Sequence, residues 1–277
     1  MLASAAVAAG GCASTTAAAR PFDRVVVVVF ENKGPDAVFG HAPEFDRLAH
    51  RYALMPRFGA EGHPSLPNYL ALVSGSVHGI HKDCNDCTVG GRSLVDTLEA
   101  AHRSWKTYAE DLPSPGFTGE HSGAYTKHHN PFVYFRDVRS SPRRLSHIVP
   151  FTQMGRDLSL GSLPDFSLVV PNNCDNMHDC SVATGDSWLR RFLVPVLASP
   201  QMRRGVVFVI FDEGEGGQGG FAGGLVPALA VGPTVRPGAR DRHLLSHYSL
   251  LRTIEDAFGL PRLGHSASAP PIRGIWR

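Results

Sequence analysis

Two runs in the chain are apolar at every position, residues 25–30 (five valines and a phenylalanine) and residues 206–211. A wholly apolar run of this length predicts a strand buried on both faces, as in parallel sheets covered by helices. Three further apolar stretches predict strands over residues 105–109, 166–171 and 227–231.

Apolar residues at helical spacing alternate with these strands. They predict helices over residues 42–51, 66–75, 93–102, 186–197 and 249–258. Alternating strands and helices favour an α/β fold with a mostly parallel sheet and helices on both faces. We expect one domain over residues 21–277, and the irregular, aromatic residues 110–162 to form loops that cover a site or select a substrate.

Polar side chains follow both fully apolar strands at the point where each ends. Glu31 and Asn32 follow the first, and Asp212 and Glu213 follow the second. Ligands of open α/β sheets bind at the carboxyl ends of the strands, and carboxylate and amide oxygens suit a divalent cation. The pair of strand ends predicts a shared metal site; the alternative is two ordinary strands followed by polar loops.

The composition limits the class of protein. The chain has 277 residues, 43% of them hydrophobic, and a net charge of +2 without a basic run, so we expect no nucleic-acid partner. Residues 1–20 are small and apolar around Cys12 and resemble an export signal with a lipoprotein-type cysteine, although a basic start is missing. The alternative is an alanine-rich tail.

The other cysteines form two local pairs, Cys84 with Cys87 and Cys174 with Cys180. In an exported protein this spacing predicts two short-range disulfides. Free thiols and a metal or redox role are the alternatives.

Ser65 lies where a glycine-rich loop enters a helix, between Pro64 and Pro67. A serine hydroxyl is a useful nucleophile only when a base or a metal activates it, and a helix N-terminus favours a bound phosphate. We expect Asn68 to donate an amide N–H to the same anion. The alternative is that Ser65 merely caps the helix.

Histidines form the remaining candidates. His128 and His129 precede an Asn-Pro pair, and His178 lies with Asp175 in a polar segment directly after a predicted strand. Such histidines can donate to phosphate oxygens or protonate a leaving group. His247 precedes the last helix, where it either faces the site or caps that helix.

Five motifs occur in order: Phe-Glu-Asn-Lys at 30–33, His-Pro-Ser-Leu-Pro-Asn-Tyr at 63–69, His-Asn-Pro-Phe at 129–132, the polar segment 171–179 and Phe-Asp-Glu-Gly at 211–214. Together they resemble the bacterial phosphoesterase family of acid phosphatases and phospholipases C, within the alkaline-phosphatase superfamily. The resemblance covers about residues 21–259. It implies an alkaline-phosphatase-like, three-layer α/β/α sandwich and a phosphoric ester hydrolase.

The resemblance also implies a site with one divalent cation, which could be Mg²⁺, Ca²⁺, Mn²⁺ or Zn²⁺. Its ligands map onto Glu31, Asn32, Ser65, Asp212 and Glu213, the last standing where secreted acid phosphatases have a second aspartate. The phosphate-binding histidines of the family map onto His128 or His129 and onto His178. Ser65 to Asn68 is similar to the Thr-Phe-Pro-Asn nucleophile motif of nucleotide phosphodiesterases, and His247 resembles a superfamily zinc ligand by position.

We therefore expect a secreted, metal-dependent phosphomonoesterase that acts on a small phosphate ester through a phosphoserine at Ser65. One alternative is a phosphodiesterase or phospholipase C, with the aromatic residues 132–135 touching lipid. A second is an exported binding lipoprotein on an inactive fold. Membrane contact is expected only through a lipid anchor at Cys12 or a lipid substrate.

Overall fold

A seven-stranded sheet runs through residues 20–277, the part of the chain that this computed structural model describes. The predictions for the export segment and Cys12 fall outside these residues. The strands are β1 (Arg24–Phe30), β2 (Ala53–Leu54), β3 (Phe58–Gly59), β4 (Trp105–Ala109), β5 (His121–Ser122), β6 (Tyr125–Thr126), β7 (Ile148–Pro150), β8 (Phe166–Val170), β9 (Gly205–Phe211), β10 (Ala228–Val231) and β11 (Leu245–Ser246).

The central sheet has the order β2-β10-β9-β1-β8-β4-β7, and the five strands from β9 to β7 are parallel. Strand β10 is antiparallel to both of its neighbours. The side chains from Val25 to Phe30 are at most 1% exposed, and those of β9 are buried throughout. The predicted mostly parallel sheet is confirmed.

Helices cover the sheet on both faces. They are α1 (Pro35–Val38), α2 (Pro43–Arg51), α3 (Ser65–Ser74), α4 (Leu94–Ala100), α5 (Arg136–Arg139), α6 (Pro142–Leu145), α7 (Thr152–Ser159), α8 (Val182–Ala198) and α9 (His247–Phe258). Phe208 and Phe211 of β9 point to opposite faces because they are three residues apart. Phe211 packs against Phe45 of α2, whereas Phe208 packs against Phe22, which contacts Phe258 of α9.

The five predicted helices are present with shifted ends. Helix α8 begins at Val182 rather than at residue 186, because the Ser181 side chain accepts from the Thr184 N–H and caps it. Helix α9 likewise begins at His247, two residues earlier than predicted.

Residues 110–162 contain more regular structure than predicted. Strand β7 and helix α7 lie in this segment. The expectation that residues 132–135 touch lipid is wrong, because all four side chains are fully buried in the core. The aromatic side chains of this segment pack inside the core.

Two disulfides close short loops. Cys84 is bonded to Cys87 and Cys174 to Cys180, which confirms the predicted pairing. Within residues 20–277, none of the helices combines the length and the apolar character needed to cross a membrane.

Candidate active site

Glu31 and Asp212 lie side by side at the carboxyl edge of the sheet. The register of β1 and β9 pairs Phe30 with Phe211, so the residues that follow these two are neighbours. The Asp212 N–H donates to the Phe30 carbonyl (3.0 Å), and the Asn32 N–H donates to Asp212 Oδ1 (3.1 Å). Both carboxyl groups are almost completely buried.

Ser65 is the first residue of α3, and its hydroxyl points to these carboxyl groups. Ser65 Oγ donates to Glu31 Oε2 (3.1 Å). The helix is preceded by Pro64 as its N-cap, and Ser65 makes no capping bond. The interpretation of Ser65 as a capping residue therefore does not describe its contacts.

The two carboxyl groups are costly to ionise together in this environment. Burial, followed by the charge of Asp212, holds the pKa of Glu31 well above its usual value, and burial also raises the pKa of Asp212. A bound cation would relieve this penalty, since it favours the ionised form of both groups.

The oxygen atoms at the strand ends suit one hard divalent cation. Asp212 Oδ2 and Asn32 Oδ1 are buried and have no hydrogen-bond partner within the described residues. Two carboxylates, an amide oxygen and the Ser65 hydroxyl form an oxygen-only donor set, as Mg²⁺, Ca²⁺ or Mn²⁺ prefers. No group of three or more His, Cys, Asp or Glu side chains is arranged for metal binding in residues 20–277.

Glu213 is paired with a histidine. Its Oε2 lies 2.9 Å from Nδ1 of His63. Burial, and then the charges of Asp212 and Asp83, raise the pKa of Glu213 to about 8. Direct ligation by Glu213 stays a prediction. Its Oε2 faces His63 Nδ1 but, like Asp212 Oδ2, makes no hydrogen bond within the described residues.

A cluster of three histidines lies beside Glu31. Nε2 of His129 lies 3.4 Å from Glu31 Oε2, and the His129 ring is 4.5 Å from that of His128 and 5.9 Å from that of His178, measured between centroids. Burial, and then the neighbouring histidines, hold the pKa of His129 well below its usual value. The structure thus brings together the three predicted histidines, with His129 neutral.

The Asn68 amide is fully used inside its own loop. Its Oδ1 accepts from the N–H groups of Glu61 (2.9 Å) and Gly62 (3.1 Å), and its Nδ2 donates to the carbonyls of Gly62 (2.8 Å) and Pro64 (3.2 Å). These four bonds use both amide N–H groups. This geometry does not support the predicted donation to a substrate, and Asn68 instead holds the loop that leads into Ser65.

His247 and Asp175 lie apart from the Ser65 hydroxyl. Nε2 of His247 bonds the Phe211 carbonyl (3.0 Å), and burial lowers the pKa of this histidine to about 4. It therefore supports the strand end that carries Asp212. Asp175 is a neighbour of Glu110: burial, and to a lesser degree the charge of Asp175, raises the pKa of Glu110.

Tyr69, His63 and Asp83 were missed by the sequence analysis. The Tyr69 hydroxyl donates to Glu31 Oε1, and its ring stacks on His129 with centroids 5.5 Å apart. Asp83 Oδ1 accepts from the Leu66 N–H (2.9 Å) at the start of α3. Only Tyr69 had a local signal, because four residues after Ser65 it shares the same helix face.

Comparison with known proteins gives consistent results. A family model described as the phosphoesterase family matches residues 43–261. The chain is 38% identical over 260 residues to a phosphatidylinositol-3-phosphatase of Mycobacterium tuberculosis, covering 92% of this chain and 83% of that protein. It is 31% identical to an acid phosphatase of Aspergillus fumigatus, covering 78% of this chain but only 51% of the relative.

Solved structures show the same fold. A protein of the alkaline phosphatase superfamily from Vibrio parahaemolyticus superposes with a TM-score of 0.63 at 15% identity, covering 91% of this chain and 71% of that one. At this identity the match is evidence for the fold alone.

Proposed function

The chain belongs to the phosphoesterase family and is a phosphoric ester hydrolase, and from this premise we propose that it is a metal-dependent phosphomonoesterase with Ser65 as nucleophile. The observation that carries the proposal is the Ser65 hydroxyl, held 3.1 Å from Glu31 beside a second buried carboxyl group. A hydroxyl in such surroundings is oriented by its acceptor and is close to the oxygen atoms that would hold a cation.

Glu31, Asn32, Asp212 and Ser65 are the residues that would hold the cation, with Glu213 as a fifth candidate. When bound, a divalent cation supplies Lewis-acid activation of the hydroxyl and offsets charge that develops on the phosphoryl oxygens. Glu31 Oε2 holds the Ser65 hydroxyl in place, and Tyr69 fixes the other oxygen of the same carboxyl group.

The histidine cluster beside Glu31 supplies the proton donors. Both ring nitrogens of His129 are buried and make no hydrogen bond within the described residues, so one N–H is free for a phosphoryl oxygen or a leaving alkoxide. His178 and His128 flank it. Attack by Ser65 Oγ on phosphorus and hydrolysis of the resulting phosphoserine are two displacements, which together retain configuration at phosphorus.

The monoester class is favoured over the diester class. The two relatives described above are phosphatases, and the aromatic segment that favoured a phospholipase C is buried in the core. Export is part of the proposal, supported by the two disulfides. A lipid anchor at Cys12 stays a prediction.

The proposal is tested with Ser65→Ala assayed on an aryl phosphate and on a bis-aryl phosphate. We expect hydrolysis of the monoester to be lost while the fold is retained. Ser74→Ala, which removes a hydroxyl from the other end of α3, should retain activity. Near-normal turnover by Ser65→Ala would exclude it as the nucleophile, and a wild-type preference for the diester would exclude the monoester assignment.

A further inference from the structure

A cavity of about 710 Å³ lies between α7 and α8, outside the candidate active site. None of Glu31, Ser65 and His129 lines it. Its walls are mainly apolar: Trp188 and Phe192 of α8 stack with ring centroids 5.0 Å apart, and Phe151 packs against both. An apolar cavity of this volume is large enough for a small organic ligand.

The cavity is long and has two distinct ends. Its α8 lining extends from Trp188 to Ala198, a length of about 15 Å at the rise of an α-helix. Pro200, past the end of α8, marks the far end. Glu110 and Asp175 mark the near end, and Glu110 directly follows β4 at the carboxyl edge of the sheet.

The near end adjoins the candidate active site through one loop. Asp175 lies inside the loop closed by the Cys174–Cys180 disulfide, and the same loop carries His178. The His178 ring is 5.9 Å from that of His129. One short segment, closed by a disulfide, therefore borders the cavity and also contributes His178 to the histidine cluster.

Exposed apolar side chains concentrate at the cavity's two helices. Among the described residues three large apolar side chains are exposed, and two of them are Leu160 (66%), which directly follows α7, and Val194 (68%) on α8. An apolar cavity with exposed apolar side chains nearby fits a molecule with a long hydrocarbon part.

We propose that the cavity between α7 and α8 binds the extended hydrocarbon chain of an amphiphilic phosphomonoester whose phosphate lies at Ser65. This inference rests on the proposed phosphomonoesterase function. The hydrocarbon chain of this ligand runs along α8. The linkage between the hydrocarbon chain and the phosphate passes the loop closed by Cys174 and Cys180.

The polar near end suits that linkage. Glu110 accepts hydrogen bonds from the Asn172 N–H (3.1 Å) and from Trp188 Nε1 (3.3 Å), and Asp175 lines the same end of the cavity. Burial raises the pKa of Glu110 to about 7. A carboxyl group that holds its proton near neutral pH can donate to an ester or hydroxyl oxygen, whereas an ionised pair would repel the phosphate.

Gly155 of α7 offers a direct test. It lines the cavity, and a Cβ built on it has no neighbour within 4 Å, so a phenylalanine there enters open space. The helix tolerates it, since glycine is the poorer helix former. Arg156→Phe places the same side chain on the same helix at an exposed position that does not line the cavity, and serves as the matched control.

The assay compares dodecyl phosphate, below its micelle concentration, with phenyl phosphate. We expect the wild type to prefer dodecyl phosphate in kcat/KM, and Gly155→Phe to lose at least about tenfold on it, the effect of a few unburied methylenes. Phenyl phosphate turnover should be unchanged in both variants. Equal losses on both substrates, or the absence of a chain-length preference in the wild type, would overturn the inference.

Binding separates this inference from the proposed function. Dodecyl phosphate bound to Ser65→Ala should change the fluorescence of Trp188, and Gly155→Phe in that background should weaken binding. If the wild type fails to hydrolyse phenyl phosphate while this binding persists, the proposed function fails and the cavity assignment stands. If the fluorescence does not respond to dodecyl phosphate, the cavity assignment fails.

Discussion

Tyr69 and Ser65, one helical turn apart on α3, donate to the two different oxygens of the Glu31 carboxyl group. A single helix face therefore supplies both the candidate nucleophile and the group that fixes its acceptor. Since Glu31 is fully buried, its position depends on these donors.

Replacing Tyr69 by phenylalanine should lower kcat and cation affinity by about 10- to 100-fold, the usual effect of removing a support of a ligand or catalytic group. The reason is that Glu31 Oε1 loses its donor and is free to turn away from Ser65. The measurement is kcat and KM on an aryl phosphate together with a metal titration.

Tyr134→Phe is the matched control. The Tyr134 hydroxyl is also buried, but it has no hydrogen-bond partner within the described residues, so its removal should leave activity unchanged. An equal loss of activity in the two variants would show that the loss in Tyr69→Phe does not come from its hydrogen bond to Glu31.

Asp212→Asn should have opposite effects on function and stability. We expect metal activation to be lost, because one of two buried carboxylates is removed. In the chelated protein at pH 8 the same change should raise the free energy of unfolding, since burial raises the pKa of Asp212 and its ionised form is therefore destabilised there.

The checks are isothermal titration with Mg²⁺ and Mn²⁺, and denaturant unfolding in a chelator. A chelated Asp212→Asn protein that is less stable than the wild type at pH 8 would contradict the interpretation of the pair as mutually repelling.

Glu213→Gln should reduce cation affinity less than Asp212→Asn does. Glu213 Oε2 lies 2.9 Å from Nδ1 of His63, whereas no basic side chain pairs with Asp212 within the described residues. Glu213 is also less buried than Asp212 (8% against 1% exposed). Titration of both variants with the same cation compares the two positions directly. An equal or larger loss in Glu213→Gln would show that Glu213 leaves His63 to become a direct ligand.

Glu255 should make the stability of the protein depend on pH, and this effect is separate from the candidate active site. It is fully buried, accepts from Ser266 Oγ (2.6 Å) and the Leu263 N–H (2.9 Å), and burial raises its pKa to about 7. Because the folded-state pKa lies above the unfolded one, its stabilising contribution is complete below about pH 4.5 and is lost as the pH rises through 7.

We therefore expect the free energy of unfolding to fall by on the order of 2 kcal/mol more in the wild type than in Glu255→Gln between pH 5 and pH 8. Denaturant unfolding of both proteins at the two pH values measures this difference. Parallel pH profiles would show that the Glu255 carboxyl group titrates at its ordinary value.

The strand-end residues could be predicted from the sequence, and most of their partners could not. Glu31 and Asp212 follow two apolar runs, and parallel pairing alone brings such ends together. Asp83 and His63 gave no comparable signal, because their contacts depend on how loops fold back over α3. The sequence predicts a substrate-binding role for Asn68 because it shows a polar side chain near Ser65. It does not show that the Asn68 amide already makes four hydrogen bonds to the backbone.

The strands also differ in how far the sequence predicts them. Strands β8 and β9 are predictable because nearly all of their positions are apolar, but β7 has three residues, too few for a pattern. The burial of residues 132–135 also needed the structure, since aromatic residues near a site suit a core and a ligand surface equally well.

The pairing of Phe30 with Phe211 also ties the assembly of the site to folding. A slip of one residue between β1 and β9 would turn Asp212 to the other face of the sheet, away from Glu31. Because these two candidate oxygen ligands follow strands that are about 180 residues apart in sequence, a chain without its native central pairing cannot present them together. Cation affinity, followed during refolding, should therefore report the moment at which the two centre strands reach their native register.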